Sequence, residues 1–274
     1  MTQKSRPITI GILFSENASL ADGLFSYFQT HPEFASHFQV RAAFTNHAPS
    51  IVKRNITHNS IRGYRVFSKK YSFLWTPGWC DVEQFAHENH VSYQEFLLHD
   101  ELRRKYFMDH VRYSLTLHRT PTYSSTPVDI VICAGFDLLL PDEFIQHFGN
   151  IIKEHPADLS ILDENGKSKF AGHGKIAVSK VIHAEEKKTR STIHLIEPMK
   201  GINEGRILCI GPSIKIPKKK ESATIPELQN LMDSECATPA LVKALRLILE
   251  GRIELPRKLS LGKRPSTKHQ QQHS

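Results

Sequence analysis

The first 45 residues alternate between strand and helix patterns. Residues 8–14 form an apolar run with β-branched residues at its start, a pattern typical of a strand buried on both faces. In residues 20–30 apolar side chains recur at every fourth position, which predicts a helix, and residues 38–45 predict a second strand. A strand, a helix and a strand in this order are typical of the opening of a parallel, doubly wound sheet.

The rest of the chain continues this alternation. Further strands are predicted at residues 64–67, 128–134, 151–155, 189–196 and 206–216, and helices at 100–117, 141–148, 175–184 and, as one or two helices, 225–250. The strands 189–196 and 206–216 alternate apolar and polar positions, which predicts an antiparallel pair closing the sheet. Gly251 predicts the end of the last helix. We therefore predict an α/β fold: a mostly parallel, doubly wound, Rossmann-like sheet with an antiparallel C-terminal extension and C-terminal helices.

Composition favours one globular α/β unit. The 274 residues are 39% hydrophobic and 23% charged, and no apolar run approaches the roughly 20 residues of a membrane span. The N-terminus has no apolar signal-peptide core. The four cysteines (Cys80, Cys133, Cys209 and Cys236) are far apart and form no CxxC pair, which argues against a disulfide framework and a zinc site. We expect a reduced, cytoplasmic protein without a metal.

Positive charge is concentrated in two places. Residues 47–80 contain six Lys or Arg and no acid, and residues 256–274 contain five and no acid, within a net charge of +8. Such segments form either a nucleic-acid surface or solvated loops. The tail favours disorder because it is of low complexity, whereas the aromatic residues within 47–80 leave a nucleic acid or a small anionic ligand as alternatives. We divide the chain into a domain of residues 1–220 and a helical extension of residues 221–255, followed by the tail.

Two loops at predicted strand ends carry candidate chemistry. The loop after the first strand contains Ser15, Asn17 and Ser19, where α/β folds bind phosphates, but it has no glycine and contains Glu16. It is therefore either a substrate loop or a helix-capping turn. His155 precedes a proline at the end of the strand 151–155, at the edge where ligands bind. Histidine suits proton transfer near neutral pH, although a structural histidine is the alternative.

Six motifs occur in an order that resembles one family. They are IGIL at 10–13 with its loop at 15–19, DIVICAGF at 129–136, LLPDEF at 139–144, HPADL at 155–159, TRSTIH at 189–194 and NEGRI at 203–207. This set resembles the formyltransferases that use 10-formyltetrahydrofolate, typified by glycinamide ribonucleotide formyltransferase and the N-terminal domain of methionyl-tRNA formyltransferase. The resemblance covers about residues 8–46 and 128–216, and residues 47–127 are unmatched.

The resemblance implies a mechanism and its residues. In the family an amine attacks the formyl carbon of the folate, a histidine and an asparagine stabilise the oxyanion, and an aspartate orients the histidine. Carried over, the histidine is His155, the asparagine position holds Lys153 and the aspartate position holds Asn203. Glu204 and Asp158 are carboxylates that would replace the missing acid.

The resemblance also implies the ligand contacts. It assigns the folate to the loop after the strand 128–134 and to the later strand, with the candidate residues Phe136, Asp137, Leu138, Leu139, Leu140 and His194. The acceptor amine would meet Ser15, Asn17 and Ser19, although Glu16 would repel the phosphate of glycinamide ribonucleotide. Three hypotheses follow: an active formyltransferase with folate and a small amine as partners, a catalytically impaired protein that binds a ligand or partner, and a hydrolase that releases formate from the folate.

Overall fold

The computed structural model describes residues 6–15, 19–45, 66–68, 87–88, 90–92, 100–116, 127–184, 186–201, 203–216, 225–257 and 259. The basic segment 47–80 lies outside these residues apart from 66–68, and so does the tail from residue 260 onward. Asn17, Glu16 and Cys80 also lie outside them. The alternative of a nucleic-acid surface in the basic segment therefore stays a prediction.

Within the described residues, one sheet of seven strands forms the centre of the fold. Its strands are β1 (Ile8–Phe14), β2 (Phe38–Thr45), β3 (Val66–Ser68), β4 (Ile130–Cys133), β5 (Ile151–His155), β7 (Thr192–Leu195) and β8 (Ile207–Ile210), and β6 (Lys188–Thr189) pairs separately with β9 (Ile214–Lys215). The strand order is β3-β2-β1-β4-β5-β7-β8. The first five strands run parallel, and β7 and β8 add antiparallel to β5. This arrangement confirms the predicted mostly parallel sheet with an antiparallel extension.

Helices cover both faces of the sheet. They are α1 (Ser19–Thr30), α2 (Pro32–Ala35), α3 (Asp100–Thr116), α4 (Asp142–Phe148), α5 (Gly174–His183), α6 (Ile225–Met232), a π-helix (Asp233–Ala237) and α7 (Thr238–Leu249). Helices α1 and α7 pack on one face of the sheet, and α3 and α4 pack on the other. Gly11 marks how closely α3 approaches β1, because a Cβ there would lie 2.6 Å from the Leu115 side chain.

Two predicted strands are shorter than their patterns indicated. The runs 189–196 and 206–216 were each predicted as one strand, but each divides into two short strands. Pro212 interrupts the second run because proline has no N–H to donate to a ladder. In the first run the break lies between β6 and β7. There Ser191 donates its backbone N–H to Cys236 Sγ, and its carbonyl oxygen accepts from the Gly211 N–H. The chain therefore leaves the large sheet and forms a small one beside it.

The C-terminal helical run contains a feature that its sequence pattern did not indicate. Residues 225–250 were predicted as one or two α-helices, and the structure places a five-residue π-helix between α6 and α7. Pro239 lies in the first turn of α7, where its missing N–H costs little. Gly251 has φ 69°, which confirms the predicted helix stop. π-Helical turns are frequent at functional sites, and this one begins at a buried aspartate, Asp233.

The topology decides where a ligand can bind. From β1 the chain moves outward to β2 and β3, then returns to β4 on the other side of β1. Such a reversal opens a crevice at the carboxyl ends of the central strands. The residues at those ends are Ser15 after β1, residues 135–137 after β4 and His155 at the end of β5.

Candidate active site

Two clefts open at the carboxyl edge of the sheet and meet at shared residues. The larger cleft, of about 610 Å³, lies between the ends of β1, β4 and β5, the first turn of α5 and the π-helix. The smaller cleft, of about 120 Å³, lies between the loop after β4 and the loop that joins β7 to β8. Lys153 and Phe136 line both clefts. The structure thus provides two adjoining binding spaces with one cation in their common wall.

Most of the predicted folate residues line the smaller cleft. They are Phe136, Leu138, Leu139, Leu140 and His194, with Lys153 and Asn203 beside them. Asp137 differs, because it lines the larger cleft together with Ser15. Ser15 Oγ donates to Asp137 Oδ1 at 2.5 Å and accepts from the Asp137 backbone N–H at 2.9 Å. Of the other predicted substrate residues, Ser19 is the first residue of α1 and does not line either cleft.

Lys153 lies on β5 opposite His194 of β7. Its side chain is half-buried, and within the described residues its ammonium group forms no ion pair. A cation held in a partly desolvated wall attracts negative charge more strongly than one on the surface. Lys153 is therefore placed to attract a negatively charged group where the two clefts meet.

The two histidines are buried and neutral. Burial is the main cause that lowers the pKa of His155 to about 3 and that of His194 to about 4. His155 Nε2 lies 3.0 Å from the Phe170 carbonyl oxygen, so the neutral ring carries its proton on Nε2 and donates it there. His194 donates through Nδ1 to the carbonyl oxygen of Leu195 at 2.9 Å. Its Nε2, a hydrogen-bond acceptor in this tautomer, has no partner within the described residues.

Asn203, the first residue of the motif at 203–207, has a left-handed backbone and links two loops. Its φ of 64° lies in the left-handed region, which asparagine tolerates better than most residues. Its Nδ2 donates to the Gly172 carbonyl oxygen at 2.7 Å, while Oδ1 is buried without a partner in the described part of the chain. Asn203 thus ties the loop between β7 and β8 to the loop before α5.

The two carboxylates predicted to replace the missing acid are engaged elsewhere. Asp158 Oδ1 accepts both the backbone N–H and the hydroxyl of Ser160, at 3.0 and 2.5 Å. Glu204 is exposed and accepts the backbone N–H of Gly201 at 3.0 Å. Among the described residues, neither these nor any other carboxylate hydrogen-bonds to His155. The structure therefore brings Lys153, His194 and Asn203 into one cleft but leaves both predicted acids outside the two clefts.

Sequence reasoning missed an acid inside the larger cleft. Glu154 is 5% exposed, and its Oε1 has no hydrogen-bond partner within the described residues. Burial first, and then the charge of Asp233, raise the pKa of Glu154 to about 8. Both carboxyl groups line the larger cleft. The sequence did contain an indication of this buried acid, because Glu154 lies two residues after Ile152 in β5 and so faces the same side of the sheet as that core residue.

Neither a membrane span nor a metal site is found in the described part of the molecule. No helix in it is long and apolar enough to cross a bilayer. No group of three or more His, Cys, Asp or Glu side chains in it is placed to hold a metal ion.

Solved structures with a similar fold identify the architecture. A glycinamide ribonucleotide transformylase from Symbiobacterium toebii is 17% identical, with a TM-score of 0.58 over 94% of this chain and 95% of that one. A phosphoribosylglycinamide formyltransferase from Anaplasma phagocytophilum is 18% identical, with a TM-score of 0.55 over 90% and 89%. A formyltetrahydrofolate deformylase from Pseudomonas syringae is 13% identical, with a TM-score of 0.56 over 93% of this chain and 64% of that one.

The likeness lies in structure rather than in sequence. No protein-family profile and no curated protein sequence matches the chain. The structural matches nevertheless span about nine tenths of its length. The chain therefore has the fold of the phosphoribosylglycinamide formyltransferases, as the ordered motifs of its sequence predicted.

Proposed function

We propose that the protein transfers a formyl group from 10-formyltetrahydrofolate to a small amine. The observation that carries this proposal is the position of Lys153 in the wall shared by the two clefts. The part of the folate around N10 would occupy the smaller cleft and the amine the larger one, so that the formyl carbon lies at their junction. Transfer between two ligands requires such adjoining spaces with a charge-stabilising group between them.

The reaction has simple electrostatic needs. The nitrogen of the amine bonds to the formyl carbon, and the carbonyl oxygen becomes an oxyanion. Lys153 stabilises this charge in place of the asparagine that the resemblance assigns to its position. The bond between the formyl carbon and N10 of the folate then breaks, and N10 takes up a proton. The products are the formamide and tetrahydrofolate.

Neither histidine is proposed to stabilise the oxyanion, which is the role that the resemblance assigned to His155. Its N–H is used by the Phe170 carbonyl, so in this geometry donation to the oxyanion falls to Lys153. His155 Nδ1 carries a lone pair and acts as an acceptor. His194 presents an unpartnered acceptor nitrogen within the smaller cleft, which suits an N–H group of the folate.

The alternative is a protein that binds these ligands without catalysis. It is favoured by one observation: among the described residues no carboxylate is hydrogen-bonded to His155, and Asn203 holds the Gly172 carbonyl where the resemblance places an acid. A neutral amide cannot accept the proton that the amine loses. Under this alternative the folate binds, but neither a formamide nor formate is produced.

Calorimetry with 5-formyltetrahydrofolate, followed by product analysis with 10-formyltetrahydrofolate and a panel of primary amines, tests the proposal. We expect a dissociation constant in the micromolar range, about −8 kcal/mol, and a formamide product. Lys153→Met should lower the transfer rate by about 100-fold or more, whereas the matched variant Lys167→Met, at an exposed turn, should not change it. Binding without product supports the alternative, formate supports the hydrolase, and no binding at millimolar ligand overturns every folate hypothesis.

A further inference from the structure

We propose that Glu154 binds the ammonium group of the acceptor and takes its proton. This inference rests on the proposed function, since it names the group in the larger cleft that prepares the amine for attack. It assigns the proton to a residue that neither the sequence motifs nor the resemblance pointed to.

The argument begins with the burial of Glu154. A carboxyl group that is 5% exposed and has an oxygen without a partner is costly in free energy, because burial removes its hydration and the nearby Ser191 hydroxyl offsets this loss only in part. Most buried polar atoms in proteins are hydrogen-bonded. Glu154 lines the 610 Å³ cleft, so a ligand that enters this space can complete the hydrogen bonding of its carboxyl group.

The surroundings of Glu154 select the charge of that ligand. Asp233 lines the same cleft from the first residue of the π-helix and is also 5% exposed. Two buried carboxyl groups that face one space repel an anion and attract a cation. Burial and the charge of Asp233 also raise the pKa of Glu154 to about 8, so its carboxyl group is mostly protonated near neutral pH. A primary ammonium group brings both charge and hydrogen-bond donors to this space.

Other residues of the lining have the opposite character. His173 and Lys175 also line the cleft, at the start of the ten-residue helix α5, whose first turn leaves N–H groups without partners inside the helix. An acceptor that carries an ammonium group and a negatively charged or hydrogen-bond-accepting group therefore suits both parts of the lining. The ammonium then lies against β5, on the strand that carries Lys153.

The proton balance of the reaction fits this placement. The ammonium form of the amine gives a proton to the Glu154 carboxylate, and the neutral amine then bonds to the formyl carbon. A second proton leaves the nitrogen of the adduct as N10 of the folate gains one and departs. The sum is one ammonium ion plus formyl-folate, giving a formamide, tetrahydrofolate and one proton, which Glu154 releases to solvent.

The groups that act on Glu154 come from β5, the π-helix and the segment that leads into β7. Lys153 and His155 flank it on β5, Asp233 faces it from the π-helix, and the thiol of Cys236 lies near it on that same helix. The Ser191 hydroxyl, just before β7, lowers the pKa of Glu154, against the larger effects of burial and Asp233. A buried carboxyl pair shares its protons as a unit. An ammonium placed beside the pair stabilises its ionised form, so binding expels a proton from the pair below about pH 8.

A binding experiment without folate tests the site separately from the proposed function. Propylamine is titrated into the full-length protein at about pH 7, in phosphate and in MOPS, which is not a primary amine, since the two buffers differ in ionisation enthalpy and so reveal the protons released. We expect a dissociation constant in the millimolar range and release of about one proton per ligand. Propan-1-ol, which has the same carbon chain without charge, should not bind.

Matched variants locate the effect. Glu154→Gln should weaken propylamine binding about tenfold or more and abolish the proton release, whereas Glu235→Gln, an exposed acid on the same π-helix, should change neither. The parent protein gives a readout that needs no variant: its affinity should rise almost tenfold per pH unit between about pH 6 and 7. Equal affinity in Glu154→Gln, or an affinity that does not change with pH, overturns the inference.

The base role has its own measurement. In the transfer assay Glu154→Gln should slow formamide production by about 100-fold while 5-formyltetrahydrofolate binds as to the parent. Parental rates in this variant would overturn the role. Propylamine binding without folate binding would instead overturn the proposed function and leave the ammonium site in place.

Discussion

His155 donates a 3.0 Å hydrogen bond from Nε2 to the carbonyl oxygen of Phe170, across fifteen residues of chain. The bond joins the end of β5 to the loop that leads into α5, and it does so inside the core, since both residues are buried. It also fixes the protonation state of the ring, because a donor on Nε2 and a pKa of about 3 leave the imidazole neutral at physiological pH. The wall of the larger cleft depends on this neutral ring.

Acid should therefore destabilise the protein through its buried histidines. An unfolded histidine takes up a proton below about pH 6.5, whereas folded His155 does not do so until about pH 3 and His194 not until about pH 4. The unfolded state binds more protons in this window, so the stability present above pH 6.5 is lost as pH falls. Each histidine contributes up to about 1.4 kcal/mol per pH unit.

Urea unfolding at several pH values checks this prediction. His155→Gln keeps an N–H donor for Phe170 but does not titrate, so its stability should fall less steeply between about pH 6.5 and 4. The raised pKa of Glu154 has the opposite effect on the free energy of unfolding, because its contribution to stability is lost as pH rises. Comparing the parent with the variant cancels this contribution, which both proteins share. His183→Gln, at an exposed site, is the control. Parallel curves for parent and His155→Gln would contradict the assignment.

Ser15 should stabilise the mouth of the larger cleft. Its hydroxyl donates to the Asp137 carboxylate and accepts from the Asp137 backbone, which ties the loop after β1 to the loop after β4. Ser15→Ala removes both bonds, one of them to a charged group, and should lower the free energy of unfolding by about 1.5–3 kcal/mol. Urea unfolding measures the loss. Ser234→Ala, whose exposed hydroxyl donates to carbonyl oxygens of the preceding turn in α6, should change stability by less than about 0.5 kcal/mol.

Gly205 should be essential to the shape of the smaller cleft. A Cβ at this position would lie 1.8 Å from the Leu195 carbonyl oxygen, and a backbone atom cannot move aside as a flexible side chain can. Gly205→Ala should therefore shift the loop between β7 and β8, costing about 1–3 kcal/mol. The same shift should weaken binding of 5-formyltetrahydrofolate, which calorimetry measures.

The control for Gly205 is another glycine with room around it. A Cβ at Gly174 meets only Gln229 at 3.9 Å, and this residue begins α5 beside the larger cleft. Gly174→Ala should keep parental stability and folate affinity. If both alanine variants bind 5-formyltetrahydrofolate like the parent, then the loop containing Gly205 does not form part of the folate site.

The sheet was predictable because its signals are local. The runs 8–14, 38–45 and 151–155 are short and begin with apolar residues, and each became a strand with the predicted bounds. The site was less predictable because its members meet through distant contacts. Asn203 bonds to Gly172 across 31 residues, and Glu154 shares a cleft with Asp233 of another element. No periodicity encodes such pairs.

The π-helix is a second feature that could not be predicted from the sequence pattern. In residues 225–250 the apolar positions continue through the segment that becomes Asp233–Ala237, so the sequence pattern does not mark the extra residue in that turn. The turn is tied to distant residues, since Cys236 accepts from the Ser191 backbone N–H and donates to the Pro212 carbonyl oxygen. The resemblance to formyltransferases pointed to His155, but it gave no indication that the adjacent Glu154 is a buried acid in the lining of the larger cleft.

Asn203→Asp provides the last test, because the resemblance places an aspartate at this position. The substitution replaces the Nδ2 donor, 2.7 Å from the Gly172 carbonyl oxygen, with a carboxylate that can only accept. Two oxygens then face each other in a half-buried space. We expect the variant to lose about 2–3 kcal/mol of unfolding free energy near neutral pH, and not to gain transfer activity.

The pH dependence of this loss distinguishes the cause. When the introduced carboxyl group is protonated it regains a donor for Gly172, so the folded state should raise its pKa above the unfolded value of about 3.9. Stability relative to the parent is then recovered at acid pH and lost as pH rises through the raised pKa. Asn203→Gly keeps the left-handed backbone at φ 64° without the side chain, and its deficit should not change with pH. A constant deficit in Asn203→Asp would show that the hydrogen bond to Gly172 does not hold this loop, whereas a faster transfer rate would show that the position still handles protons.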